Sequence, residues 1–282
     1  MKADEKQSAD RRWTILQEIQ NNNYASVAEL SRLLNVSEVT IRRDLTILEE
    51  MGLIQRTHGA AQAVFRVGQT PPFEARLYQN MKFKRAIGIA AAAMIKPGDA
   101  VCLDAGTTVL ETAKAIPQSI LDDGKLTVVT RSLSIASVFR PHRRTRLILL
   151  GGMYVHDFDT FVGPQVEQAL QNLHVNTLFI GIDGISIARG ITTDNVMEAP
   201  LYPAMTRCAD RIVVVTDSGK VGVNQLQAIL SISQIHTFVT DDHVSAEFVS
   251  ALREKGVEVI VAETDPSVSF SSLSAVSDTS RL

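Results

Sequence analysis

The chain has 282 residues, 45% of them hydrophobic, with 28 Lys and Arg against 31 Asp and Glu for a formal net charge of −3. That length suits a small module plus one larger domain, and the charge balance excludes a broadly basic surface as the ground for nucleic-acid binding. Cys102 and Cys208 lie far apart with no His or Cys at ligand spacing, which excludes a disulfide scaffold and a zinc site.

The two cysteines therefore read as buried packing residues, and no metal or cofactor is expected. No run of about 18 apolar residues occurs. The stretch MKADEKQSADRR is charged where a signal peptide is apolar, so a cytoplasmic protein without a membrane partner is expected.

In chain order, residues 11–66 read as three helices and a short hairpin. The stretch ASVAELSRLLNVSEVTIRRDLTILEEMG holds two helix starts: Ser26 with Glu29 forms a capping box, and Ser37 caps the next helix after the turn LNVS. Val27, Leu30, Leu33 and Leu34 make the inner stripe of the first of these helices, and Ile41, Leu45 and Leu48 that of the second. Trp13, Leu16 and Ile19 of an earlier helix supply the third wall. A core this small with so short a turn is a helix-turn-helix.

On the second of these helices, a rotation of about 100° per residue puts Arg43 opposite Ile41, with Arg42 beside it and Val39 and Thr40 flanking the outward direction. Arginine placed there can donate bidentately to guanine edges or to phosphates, and Thr40 can reach a base or a phosphate. After Gly52, LIQRTHGAAQAVF has the form of two strands around a Gly turn, a wing with Arg56 and His58 on one side. Residues 1–66 carry nine basic and nine acidic side chains, so the module has no net charge. By spacing alone, an exposed arginine pair reads equally as a solvated face.

VGQTPPF then supplies the Gly, Pro and Thr of a linker, and EARLYQNMKFKRAIGIAAAAMI (74–95) reads as one helix ended by KPGD. Beyond it, the apolar runs AVCLD (100–104), KLTVVT (125–130), RLILLGG (146–152), TLFIGID (177–183), RIVVVTD (211–217), HTFVTD (236–241) and VEVIVA (257–262) alternate with helical segments. Strands this continuously apolar predict a parallel sheet covered on both faces, hence an α/β domain. The expected divisions are a DNA-binding-type module at 8–66, a linker and the start of a connecting helix at 67–84, the α/β domain at 85–263, and a Ser-rich disordered tail at 264–282.

Small or polar turns follow the strands at Asp104-Ala105-Gly106-Thr107-Thr108, Thr130-Arg131-Ser132, Gly151-Gly152, Gly181-Ile182-Asp183-Gly184 and Asp217-Ser218-Gly219-Lys220. In an open parallel sheet such strand ends converge on one edge, where ligands bind. The first of them opens a helix whose amide groups and dipole favour a phosphate, although the same composition serves ordinary strand-to-helix turns.

The run VSEVTIRRDLTILEEMGLIQRTHGAA resembles the signature of the DeoR family of bacterial transcriptional regulators: a Ser-capped recognition helix with T-[IV]-R-R-D-L, then a hydrophobic wing ending in H-G-G-A. Ser37, Thr40, Arg42, Arg43, Asp44, Leu45, Leu48, Arg56, His58 and Gly59 match, and Ala60 stands at the second Gly. The resemblance implies operator DNA as partner, met by Ser37, Thr40, Arg42, Arg43, Arg56 and His58.

Further on, the order D-x-G-[ST]-T, T-N-S, G-G, G-x-D-G, G-[IL]-T-T with a following Glu, and D-x-[ST]-K is similar to the family's sensor domain. That domain shares its fold with ribose-5-phosphate isomerase and binds phosphorylated sugars or related metabolites. The resemblance covers about residues 11–262. It implies that Asp104, Gly106, Thr107 and Thr108 hold phosphate, that Asp183 and Glu198 meet sugar hydroxyls and that Lys220 offers a cation. Thr130, Arg131, Gly151 and Gly152 complete the expected effector edge.

Three positions depart from the family pattern. Arg131 stands at a usual Asn, Tyr202 and Pro203 stand where a Lys or Asn and an Arg are common, and Asn176 replaces a frequent Asp. Arg131 is expected to add a bidentate contact that shifts the ligand toward something more acidic or bulkier, or else to pair inside a subunit contact.

The expectation is thus an α/β protein: a winged helix-turn-helix followed by a larger parallel-sheet, isomerase-like sensor domain. It acts as a homo-oligomer, because one small module contacts too few bases for genomic specificity. Repression of a carbohydrate catabolic operon, relieved by a phosphorylated sugar, is what the family implies. The alternative is a sugar-phosphate isomerase with an appended DNA module. The isomerases of this fold resemble G-A-D-E followed by K-G-G-G-G-A and a later Glu, but Gly184 stands at the first Glu and Arg189 at the Lys, with Glu198 alone keeping the base position. That pattern favours binding over turnover, so no enzyme is expected. A purely architectural DNA-binding protein would need a basic surface that the charge balance denies.

Overall fold

The computed structural model describes residues 2–22, 24–57, 59–64 and 71–264. His58, Arg66, part of the expected linker and nearly all of the expected tail lie outside them.

The chain begins with helix α1 (Lys2–Asn22), strand β1 (Tyr24–Ser26), helices α2 (Val27–Leu34) and α3 (Glu38–Glu50), and strands β2 (Ile54–Thr57) and β3 (Ala60–Ala63). The capping box forms at α2: Glu29 N donates to Ser26 Oγ at 3.2 Å and Ser26 N to Glu29 Oε2 at 2.8 Å. Asn35, left-handed at φ 50°, ends that helix, and Ser37 Oγ accepts from Thr40 N at 3.2 Å to start α3. Ile15, Leu16, Ile19, Leu30, Ile41 and Leu48 are fully buried between the three helices.

Leu33, expected inside, is 57% exposed. It lies roughly 120° around α2 from the line of Val27 and Leu34. The wing carries a third strand that the sequence reading omitted. β1 pairs antiparallel with β3, and β3 with β2, but three residues beside a capping box give no alternation to read. Asp44 is buried against Arg11 at 2.5 Å and Arg12 at 3.5 Å, which ties α3 to α1.

The larger domain runs α4 (Phe73–Tyr78), α5 (Met81–Ala92), β4 (Ala100–Leu103), α6 (Thr107–Ala115), α7 (Gln118–Asp122), β5 (Thr127–Thr130), α8 (Leu133–Phe139) and β6 (Arg146–Leu149). A hairpin follows, β7 (Met153–Val155) and β8 (Thr160–Val162), then α9 (Pro164–Gln171), β9 (Val175–Gly181), β10 (Gly184–Ser186) and β11 (Gly190–Thr193). The last elements are α10 (Tyr202–Arg207), β12 (Ala209–Val215), β13 (Gln227–Leu230), β14 (Thr237–Asp241), α11 (Ala246–Glu254) and β15 (Glu258–Ala262).

All seven predicted strands join one sheet in the order β15-β14-β12-β9-β4-β5-β6, and every pairing in it is parallel. Along the strands side chains alternate between two cores. Val101, Leu103, Phe179, Val213 and Val239 face α5 and α6, whereas Cys102, Leu178, Ile180, Val214 and Phe238 face α9, α10 and α11. Cys102 and Cys208 both lie buried in the second core, where burial pushes their thiols up. Strand order reverses direction between β4 and β9, the switch point at which open parallel sheets leave a crevice. The β7–β8 hairpin and the small antiparallel sheet β10-β11-β13 went unpredicted, being built from strands of three or four residues.

The single helix expected over 74–95 is two. Asn80 adopts φ 52° and its Nδ2 donates to Asp217 Oδ1 at 2.9 Å, so a tertiary bond holds a left-handed break that a helix pattern does not reveal. The short α4 before the break is shared by both domains. Phe73 is buried in the sheet domain's core, while Ala75 is buried in the small module's core. Tyr78 OH approaches Met51 Sδ at 3.5 Å, and the Arg12 guanidinium lies over the Tyr78 ring. Among the described residues no helix is long and apolar enough to cross a membrane.

Candidate functional site

Two surfaces carry the chemistry. On α3, Ile41, Asp44, Leu45 and Leu48 turn inward, which leaves Val39, Arg42 and Arg43 exposed on the opposite side. Thr40 Oγ1 sits 2.9 Å from Ser37 Oγ at the helix start. Arg42 Nη2 rests 3.0 Å from Glu38 Oε2, an exposed i,i+4 pair of little strength, and Arg43 is in no ion pair among the described residues. Arg56 fastens the wing to α3: its amide donates to Glu49 Oε1 at 3.1 Å and its Nη1 to Thr46 Oγ1 at 2.9 Å. The positive φ of the wing turn falls on Gly59 at 79°, while Ala60 is already in β3, so the second Gly of the family pattern is not needed here.

The second surface is a cavity of about 50 Å³ at the carboxyl ends of β4, β9 and β12, over the switch point. Gly106, Thr107 and Thr108 line it at the start of α6, where Gly106 has φ 134° and ψ 150° and no side chain caps the helix. The first amides of α6 and the positive end of its dipole are thus left to an occupant.

Lys84 lines the cavity from α5 at 4% exposure, with its Nζ donating to the backbone oxygen of Arg76 at 2.6 Å and no ion pair among the described residues. Burial pushes its pKa down to about 7, against the pull of Asp217. Arg76 reaches in from α4: its Nη1 lies 3.6 Å from Asp183 Oδ1, its guanidinium stacks over Phe158, and its Nε is buried without a hydrogen-bond partner. Lys220 also lines the cavity and is in no ion pair among the described residues. The other wall is acidic and hydroxylic, with Asp183 accepting from Thr193 Oγ1 at 2.8 Å and Glu198 beside them.

Of the expected effector residues, the cavity gathers Gly106, Thr107, Thr108, Asp183, Glu198 and Lys220. Asp104, Thr130, Arg131, Gly151 and Gly152 do not line it. Arg131 is 1% exposed, with Nε 2.6 Å from Asp104 Oδ1, Nη1 donating to Thr160 Oγ1 at 2.6 Å, and Nη2 3.4 Å from Glu198 Oε2. Its guanidinium faces Asp104, Thr160 and Glu198 of its own chain instead of the cavity, with Nη2 making no hydrogen bond among the described residues, so the expected ligand contact does not follow from this geometry.

The β7–β8 hairpin explains the difference. Phe161 N donates to the Arg131 oxygen at 2.8 Å, and Ser132 Oγ donates to Asp159 Oδ2, so the end of β5 is sealed while Gly151 and Gly152 after β6 stay exposed. Gly152 serves packing, since a Cβ there would meet the Val162 oxygen at 2.5 Å, and Gly151 faces open space. Two family departures meet at one carboxylate: Arg131 holds Asp104 Oδ1, and Tyr202 OH donates to Asp104 Oδ2 at 3.3 Å. Burial raises the Glu198 carboxyl, with Arg131 opposing.

Comparison with known proteins follows this geometry. The DeoR-like helix-turn-helix domain matches residues 11–66, and the DeoR C terminal sensor domain matches residues 79–242.

The chain belongs to the DeoR family.

It is a DNA-binding transcriptional regulator of that family. Among its relatives, a protein of Escherichia coli O157:H7 named for transcriptional repression of the aga operon is 34% identical over 90% of this chain and 94% of its own length. The HTH-type transcriptional regulator GlpR of Haloferax volcanii is 32% identical over 89% and 97%, and the HTH-type transcriptional repressor GlcR of Bacillus subtilis 31% over 91% and 97%. These relatives are named as regulators. A ribose 5-phosphate isomerase A structure from Methanocaldococcus jannaschii overlays 51% of this chain and 55% of its own at 14% identity and a TM-score of 0.38, a likeness too slight to carry an argument.

Sequence reasoning missed the part of this DeoR cavity that comes from the connecting helices. Lys84 stands at i with Ile87, Gly88 and Ala91 at i+3, i+4 and i+7, all buried. An ammonium on a helix's inner stripe was the available signal. Tyr202 and Asp217 were also overlooked as lining residues, one buried on α10 and the other hidden in a turn motif credited to Lys220.

Proposed function

We propose that this regulator is a repressor released from its operator by a phosphorylated sugar or polyol bound in the switch-point cavity. α3 enters the major groove with Thr40, Arg42 and Arg43 facing base edges and Ser37 near its start, while Arg56 and, from its place in the wing sequence, His58 meet the flanking backbone. Val39 offers an apolar contact to a thymine methyl. Two or more copies associate so that paired modules meet both half-sites.

One observation carries the effector reading: a buried ammonium, Lys84, in no ion pair among the described residues, faces the same cavity as the uncapped start of α6. A phosphate fits that end, near Lys220 and Arg76, and sugar hydroxyls fit the wall of Asp183, Thr193 and Glu198. The names of relatives as repressors support the sign. Turnover is disfavoured because Glu198, the remaining residue of an isomerase pattern, sits against Arg131 rather than free as a base.

The test is a gel shift on the promoter of the neighbouring operon, titrated with ribose 5-phosphate, glucose 6-phosphate, fructose 1-phosphate and glycerol 3-phosphate. Release by one of them is expected, as is loss of retention when Arg42 and Arg43 are both replaced by Ala. Retention that survives the double replacement refutes the DNA reading, and indifference to every phosphate ester refutes the effector reading.

A further inference from the structure

We propose that the effector's anion is read by the connecting helices themselves, Lys84 and Arg76 being at once anion ligands and the coupling to the DNA-binding module. This rests on the effector reading above and adds its transmission.

Three observations converge. The Lys84 ammonium makes its hydrogen bond, 2.6 Å, to the backbone oxygen of Arg76, so a cavity-lining cation grips α4 from inside. Arg76 projects from α4 into the same cavity, where its Nη2 donates to the Asp157 oxygen at 3.3 Å, its Nε has no hydrogen-bond partner among the described residues and its Nη1 stands 3.6 Å from Asp183, beyond hydrogen-bond distance. The neighbours of Arg76 on α4 belong to the other domain: Ala75 lies fully buried in the winged-helix core, and Tyr78 touches Met51 and the Arg12 guanidinium.

An anion at the start of α6 therefore competes with the Arg76 oxygen for Lys84 and with Asp183 for the Arg76 guanidinium. Both exchanges pull on a helix of six residues that is seated in the sheet domain by Phe73 and in the small module by Ala75. Because Ala75 and Tyr78 are packed into the DNA-binding core, displacement of α4 re-aims the recognition helix. The coupling is reciprocal: the factor by which the anion weakens operator binding is the factor by which operator weakens anion binding.

Inorganic phosphate, against chloride at equal ionic strength, is the probe. Its binding is read by thermal shift, its transmission by the emission of Trp13, the chain's single tryptophan, which packs against the winged-helix core, and by operator affinity. In the full chain, phosphate is expected to raise the melting temperature, change Trp13 emission and weaken operator binding about fivefold or more. Lys84→Met is expected to lose all three responses. Tyr78→Leu, outside the cavity, is expected to keep the thermal shift and lose the other two.

If phosphate gives no thermal shift in the native chain, the anion site itself is wrong and the effector reading falls with the inference. If it binds yet leaves Trp13 and operator affinity unchanged, or if Tyr78→Leu responds like the native chain, the coupling through α4 alone is overturned.

Discussion

After β4, β9 and β12 the turns open into a cavity, whereas after β5 the turn Thr130-Arg131-Ser132, of similar small and polar composition, is sealed beneath the β7–β8 hairpin. The open half exposes amides and cations to an occupant. The sealed turn sends Arg131 inward, where it pairs with Asp104 at the end of β4 and lies 3.4 Å from Glu198 of the cavity wall, with almost no solvent contact. Turn composition thus shows where a strand ends, while coverage by a later segment decides whether the turn can meet a ligand. A charged side chain changes its role completely between the two halves, from ligand receptor to structural clasp.

The sharpest way to break that comparison is Arg131→Met. It leaves two buried carboxylates without their cation, and a loss of about 3–5 kcal/mol in denaturant unfolding is expected. Stability close to that of the native chain would mean that Arg131 is not the clasp.

Next in size is Gly106→Ala in the open half. Its φ of 134° lies in a region that side-chain-bearing residues avoid, so the start of α6 must distort. Binding of the active phosphate ester, measured by calorimetry, is expected to weaken about tenfold, the equivalent of about 1.4 kcal/mol.

Lys84 gives the open half a pH signature. Its pKa is lowered from 10.5 to about 7, with Asp217 and Glu111 pulling up and Arg76 and Lys220 pushing down. The folded chain without anion binds fewer protons at Lys84 than the unfolded chain between those values, so this group's contribution to stability improves as pH rises through that window. A bound anion restores the proton. Affinity should therefore fall from about pH 7.5 to about pH 9, by up to tenfold per unit, where a phosphate monoester is already dianionic. Calorimetry across that range should show the slope in the native chain and a flat profile in Lys84→Met.

Smallest of all is Gly151→Ala, for which nothing lies within 4 Å. Its effect on unfolding and on effector binding should stay within about 0.5 kcal/mol.

The parallel sheet and its seven strands were readable, though not their order, because seven continuously apolar runs can be buried on both faces in only one class of architecture. The recognition helix was readable because capping and a heptad-like stripe are local. Three features were not. Asn80 breaks a helix through a bond to Asp217, which lies 137 positions away. The β7–β8 strands are too short to show alternation, and without them nothing in the sequence marks Arg131 as covered. Lys84 was legible in principle, since its place on an apolar stripe separates it from the solvated lysine that its flanking charges suggest.

The wing fastened to α3 by Arg56 has an evolutionary corollary. A reading head whose hairpin is pinned by an amide and a guanidinium at Glu49 and Thr46 docks as a rigid stamp. Divergence toward a new promoter should then proceed by swapping the outward letters at Val39, Thr40, Arg42 and Arg43, leaving the hinge-free frame untouched. Paralogues with altered binding sites would differ at those few positions and agree at the pins.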